Sequence, residues 1–217
     1  MAWPRKCLFD LPDSINDVDG AMLEPLGVTM HAMELSKIQA GMRVGVFGCG
    51  PIGLLIIQLA RFSGAAHILA TDTRVHRLEA AQNFGASQVL LTKDQNQSRE
   101  IQKAVQEAGV DIAFEAAGVQ AAVDDAFAAV RPGGKVILVG IPDDDRTSFS
   151  ASLARRKGLT IKFVRRMKHT YPRAIELVSK GLVDVRSLVT HRFPLGQAME
   201  AFRVAVRREG LKVIIEL

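Results

Sequence analysis

The sequence predicts an α/β fold, a doubly wound parallel sheet covered by helices on both faces. Three observations predict it. Short apolar runs alternate with helical stretches from Arg43 to Phe163. The run Arg43–Phe47 passes directly into Gly48-x-Gly50-x-x-Gly53 and then into the helix-like stretch LLIIQLARF. A second run, HILAT, ends at Asp72, 19 residues after Gly53. Right-handed crossovers turn such a series into a sheet wound on both sides. Its ligand crevice then lies outside the carboxyl ends of the strands.

The elements follow in order. Met1–Asp19 reads as irregular, and Gly20–Lys37 as a helix interrupted near Pro25, with Gly41 closing it. Arg43–Phe47 is a strand, Ile52–Phe62 a helix and His67–Thr71 a strand. Arg74–Phe84 is a helix whose small apolar face is Leu78, Ala80 and Ala81, ended by Gly85. Gln88–Leu91 is a strand, Arg99–Glu107 a helix, Asp111–Phe114 a strand, Val119–Val130 a helix and Lys135–Val139 a strand. Leu159–Phe163 is the last strand of the series. After Thr170 the pattern changes. Tyr171–Lys180 is a helix, Leu188–Phe193 a strand, Leu195–Arg207 an amphipathic helix with Ala198, Ala201, Phe202 and Ala205 inward, and Lys212–Glu216 a final strand.

The glycine loop carries the clearest chemistry. Gly48 permits a tight turn, Gly50 lets backbone approach a pyrophosphate, and Gly53 lets helix and strand pack closely. Pro51 suits the first helical position, where no N–H is required. The free N–H groups of that helix then face phosphates. A carboxylate at Asp72 would accept hydrogen bonds from an adenine ribose and repel a 2′-phosphate, so the residues point to NAD. Arg74 and Arg77 lie close enough in sequence to leave NADP open. Small residues recur at the later strand ends, and Gly118 or Gly140 is expected to line the same site.

Composition narrows the classes. A chain of 217 residues can bury a sizeable core. No apolar run is long enough for a membrane span, and the N-terminal residues show no signal core, so the expectation is no membrane and a reducing, cytoplasmic setting. Two cysteines, Cys7 and Cys49, make neither a disulfide framework nor a four-cysteine zinc lobe. The net charge of +5 is local: nine Lys/Arg and no Asp or Glu fall between Arg146 and Ile175, leaving 19 basic against 23 acidic residues elsewhere. Few aromatics interleave those cations, so no nucleic acid is expected as a partner. Leu159–Phe163 is an edge open to pairing with another copy, and Lys157 and Lys162 read equally as protection against it.

With these residues in hand, the chain resembles the medium-chain dehydrogenase/reductase superfamily, in its zinc-dependent alcohol and polyol branch. Three blocks carry the resemblance: GAMLEPLGVTMHA at Gly20–Ala32, VFGCGPIGLLIIQLA at Val46–Ala60 with Asp72, and TYPRAIELVSKG…LVTHRFPLGQAMEAF from Thr170 to Phe202. The resemblance implies a Rossmann domain over 38–166, a lead-in segment and bridging helix over 1–37, and the C-terminal remnant of a GroES-like catalytic domain over 167–217. It implies NAD as cofactor, held by Gly48, Gly50, Pro51, Ile52, Gly53, Asp72 and Arg77, with Val139, Gly140 and Ile141 at the nicotinamide end. It places Glu24 beside the zinc or the substrate and Arg166 near substrate and nicotinamide; a helix-start carboxylate satisfying backbone N–H groups is the equal alternative for Glu24. Met167 stands where the family often has an aromatic residue. His31 and His191 match the family's blocks but not its zinc ligands, and are expected to be packed or hydrogen-bonded.

The resemblance also implies an incomplete metal site. The family's zinc is held by a cysteine and a histidine from an N-terminal barrel-like domain, and roughly the first 130–140 residues of a complete member have no counterpart here. Glu24 alone remains. The expected function is therefore the NAD(H)-binding part of an oxidoreductase that moves hydride between a polyol or secondary alcohol and NAD, weakly active or inactive alone. The alternative is a non-catalytic dinucleotide-binding module, or a subunit completed by another chain. A zinc-free reductase fits the EPL and THRFPL blocks less well. With its partner domain absent, Phe193, Leu195, Met199, Phe202 and Val213 are expected to be partly exposed, and the chain to associate as a homo-oligomer or with a partner chain.

Overall fold

The computed structural model describes residues 3–93, 97–106 and 108–217. Six strands form one parallel sheet: β1 Arg43–Phe47, β2 His67–Asp72, β3 Gln88–Leu91, β4 Val110–Glu115, β5 Val130–Leu138 and β6 Thr160–Phe163. Their spatial order is β3-β2-β1-β4-β5-β6. The order reverses between β1 and β4, which makes the crevice at their carboxyl ends the switch point of the sheet. Register pairs Val46 with Ala70 on one side of β1 and with Phe114 on the other.

The side-chain alternation of a strand divides the core in two. Val44, Val46, Ile68, Ala70, Ile112, Phe114 and Ile137 face a cluster containing Leu54–Ile57, Leu23, Leu26 and Leu78. Phe47, Leu69, Ala113, Val136 and Leu138 face the other way, onto Ile101, Val123, Ala126 and Phe127. Strands buried on both faces read as continuous apolar runs, as β1 and β2 do. Helices α3 Pro51–Phe62 and α4 Val75–Asn83 supply the first face, and α5 Ser98–Val105 and α6 Gln120–Ala129 the second.

Several boundaries differ from expectation for local reasons. The N-terminal segment is not wholly irregular: α1 spans Asp17–Ala21, and the Asn16 side chain caps it by accepting from Asp19 N–H at 2.9 Å. The interruption before α2 (Leu23–Ser36) falls at Met22, not Pro25. Pro25 sits in the first turn of α2, where its missing N–H costs nothing. That helix ends at Lys37 in left-handed geometry, ahead of Gly41. A helix not anticipated, α7 at Ala151–Lys157, starts at a Ser150 cap and stops at Gly158, φ +60°. β5 begins five residues earlier than expected, at Val130. The expected helix end at Glu107, and Met1 and Ala2, lie outside the described residues.

After β6, α8 (Tyr171–Ser179) packs on α2. There Thr170 Oγ1 donates to Gly27 O at 3.1 Å. A separate unit follows: β7 Val189–Pro194, α9 Ala198–Arg207 and β8 Lys212–Glu216, the two strands pairing in parallel. The inward stripe of α9 is Ala201 and Val204; Phe202 and Ala205 face outward, contrary to expectation. Two strands give the helix only a narrow surface to cover, so the rest of its apolar face stays open. Among the described residues, no helix is long and apolar enough to cross a membrane.

Candidate dinucleotide crevice

β1 delivers Gly48 to the switch point. A Cβ at Gly53 would stand 1.8 Å from Gly48 O, so only hydrogen fits where α3 crosses the loop. At Gly50, by contrast, the nearest atom to an added Cβ is Arg77 Nη1 at 3.9 Å. The space in front of Gly50 is open, and its φ of −68° is ordinary. Pro51 opens α3 directly after Gly50, and the first N–H groups of such a helix have no intrahelical partner.

Asp72, at the end of β2, is buried. Its Oδ2 accepts from Cys49 N–H at 2.8 Å and its Oδ1 from Arg74 N–H at 2.9 Å. One carboxylate thus ties the glycine loop to the β2 end and still has lone pairs for a diol. Arg77 Nη1 stands 3.9 Å from Asp72 Oδ2, and its buried Nε has no partner among the described residues. Burial pulls the Arg77 pKa down, Asp72 opposes that, and Arg208 and Arg74 push it further down.

These residues wall a crevice of about 510 Å³. Gly48, Gly50, Asp72 and Arg77 line it together with Thr92 and Lys93 after β3, Ala116 and Ala117 after β4, Gln120 and Asp125 on α6, and Arg208 after α9. Its volume, its glycines and its cations suit an anionic ligand, and a dinucleotide fits this chemistry. A larger hollow of about 820 Å³ between α3, α4 and residues 182–187 lies away from the strand carboxyl ends.

The other expected contacts stand beside this crevice rather than in its lining. Pro51, Ile52 and Gly53 belong to the helix start behind it. Val139, Gly140 and Ile141 form the turn after β5. An added Cβ at Gly140 would meet Gly118 N at 2.3 Å and Glu115 Oε2 at 2.5 Å, so Gly118 and Gly140 back onto each other. Glu115, a residue the sequence reasoning passed over, organises both turns. Its buried Oε1 accepts from Ala117 and Gly118 N–H at 2.8 and 2.7 Å, and Val139 and Gly140 N–H donate to its carbonyl. Ile141 is exposed at the rim.

Glu24 and Arg166 lie on abutting segments, both exposed. Gly27, one turn after Glu24, packs on Met167, the neighbour of Arg166. The fit to a metal is poor. Among the described residues, no group of three His, Cys, Asp or Glu side chains could hold an ion. Cys49 is buried, donates to Thr71 O at 3.4 Å, and has its thiol pushed far up by burial and by Asp72. Cys7 is exposed in the lead-in segment. His31 meets Glu34 at 3.5 Å and His191 meets Thr190 at 3.0 Å.

Comparison with known proteins accords with this geometry. The family model for zinc-binding dehydrogenases matches residues 51–180. The sorbitol dehydrogenase of Bacillus subtilis (strain 168) is 35% identical over 210 residues, which is 96% of this chain and 60% of that protein. Among solved structures, the alcohol dehydrogenase TADH from Thermus sp. ATN1 superposes with a TM-score of 0.86 at 28% identity, over 94% of this chain and 60% of that one. A Sinorhizobium meliloti 1021 protein solved with NADP bound gives 0.81 at 27% identity, over 91% and 59%. The chain spans about 60% of the length of the relatives it matches.

Proposed function

The chain belongs to the zinc-binding dehydrogenase family, and from that premise we propose that it is the NAD(H)-binding part of a polyol or secondary-alcohol dehydrogenase. The observation that carries the reading is the open space before Gly50 in a cationic crevice at the switch point, with Asp72 holding the loop in place. When bound, the nicotinamide supplies the hydride acceptor or donor. The residues of this chain bind and orient. The N-terminus of α3 takes the pyrophosphate, Asp72 takes the ribose diol, and Arg77 steadies the adenosine end. The turns held by Glu115 place Val139–Ile141 beside the crevice for the nicotinamide end, and Glu24 and Arg166 face the substrate side.

Among the described residues the donor set does not fit zinc. We read the activity of this chain alone as weak or nil, with metal ligands supplied by a further polypeptide segment. That same donor set favours a second reading, a dinucleotide-binding subunit completed by another chain. Self-association through a homo-oligomer is compatible with both.

The test is a fluorescence titration with NADH. The unaltered chain is expected to bind saturably. Gly50→Val keeps an allowed backbone and meets no protein atom closer than 3.9 Å at its Cβ, yet fills the ligand space. It is expected to retain the circular dichroism of the parent and lose NADH binding. Undiminished binding by that variant would falsify the placement of the pyrophosphate.

A further inference from the structure

Arg208 lies 136 positions after Asp72 yet lines the same crevice. It closes α9 in the left-handed region, φ +55° and ψ +37°, a conformation that costs a non-glycine residue and directs the chain back toward Gly210. Its neighbours are neutralised: Arg203 pairs with Glu200, and Arg207 pairs with Glu200 and Glu209. The Arg208 backbone N–H donates to Ala205 O at 3.1 Å, whereas its guanidinium has no ion-pair or hydrogen-bond partner among the described residues.

The wall it completes carries a surplus of positive charge. Arg77, Lys93 and Arg208 line the crevice against two carboxylates, Asp72 and Asp125. Both carboxylates already accept backbone N–H groups, Asp72 from Cys49 and Arg74, Asp125 from Gln97 at 3.2 Å. Arg77 is held too far from Asp72 for a hydrogen bond and keeps a buried Nε–H unspent. Two guanidinium groups that repel one another in the free protein make a receptor for a dianion.

We propose that Arg208 and Arg77 together receive the 2′-phosphate of NADP(H), so that the crevice admits the phosphorylated dinucleotide although Asp72 stands at the end of β2. The proposal rests on the reading of the crevice as a dinucleotide site, because that reading puts the adenosine ribose beside Asp72. Asp72 sets the preference for NADH; the cation pair keeps NADPH within reach. It also gives the β7-α9-β8 unit a task in cofactor choice, since Arg208 is the residue this unit contributes to the crevice lining.

The experiment titrates the whole chain with NADH and with NADPH, followed by nucleotide fluorescence. The unaltered chain is expected to bind NADPH within about tenfold of NADH. Arg208→Gly removes the guanidinium and suits the left-handed backbone, so it folds at least as well as the parent. It is expected to weaken NADPH binding by about tenfold or more, the scale of a lost charge-assisted contact, and NADH binding by less than about threefold. Arg208→Lys is expected to fall between. Equal weakening of both nucleotides, or of neither, overturns the assignment. So does a parent chain that binds NADH but discriminates against NADPH by more than about a hundredfold, which leaves the crevice reading standing. Failure of a folded parent chain to bind either nucleotide brings down both.

Discussion

Glu115 shows how one buried carboxylate can organise a strand end. It accepts N–H groups of Ala117 and Gly118 while its main chain receives Val139 and Gly140. Burial pushes its carboxyl above the usual range, against the pull of those N–H groups. The sign of the pH effect follows. Between the unfolded value near 4.5 and the raised folded value, the native state holds a proton that the unfolded chain has released. The stabilisation from that proton is complete below the unfolded value and is lost as pH rises through the folded one. Glu115→Gln cannot titrate. The difference in urea unfolding free energy between parent and variant is therefore expected to move against the parent as pH rises across that window, and to be flat on either side of it. A difference that stays constant with pH would show that Glu115 ionises as an ordinary exposed glutamate does.

At the scale of elements, three lysines finish helices, and two of them, Lys157 and Lys162, are residues for which sequence alone offers edge protection as one reading. Lys157 Nζ donates to the carbonyls of Phe127, Ala128 and Val130 at 2.9, 3.0 and 2.6 Å, closing the C-terminus of α6. Lys135 and Lys162 do the same for α2, at Ser36 O and Leu35 O. A cation at the negative end of a helix dipole satisfies carbonyls that have no intrahelical partner. Lys157→Met keeps the stem and removes the ammonium, so it is expected to lower unfolding free energy by about 1–3 kcal/mol with an unchanged m-value. A loss below about 0.3 kcal/mol would mean that water replaces the ammonium. The sheet was legible because its strands are apolar runs bounded by glycine and its loop follows a mechanical code. α7 was not, since its short, cation-rich sequence shows no apolar period; the Ser150 and Gly158 caps were the available signal. Asp72 and Gly50 were readable from spacing, whereas Arg208 reaches the crevice only through the folding of a remote unit.

The whole molecule presents an apolar stripe that its own fold does not cover. Leu195, Met199, Phe202 and Val206 are 59, 70, 63 and 80% exposed, at spacings of four, three and four residues along one side of α9 and the turn that leads into it. Phe193 and Val213, expected to join them, are half-buried between β7 and β8. The stripe sits on a two-stranded sheet, an arrangement too small to be stable without further packing. Water against four large apolar side chains at helical spacing favours a second apolar surface, at about 25 cal/mol per Å² covered. In the purified chain the surface present at highest concentration is another copy of the same stripe. The mass seen by light scattering is therefore expected to rise with concentration. Met199→Glu with Phe202→Lys places an opposite-charge i,i+3 pair on the outward face without touching Ala201 or Val204. That double variant is expected to scatter as a monomer at every concentration, with the parent's circular dichroism and NADH affinity. If the parent is itself a monomer at high concentration, the stripe is too small or too well hydrated to drive association. If parent and variant associate alike, the contact lies elsewhere, and the open edge of the main sheet at β6, where Phe163 is 63% exposed, becomes the surface to alter next.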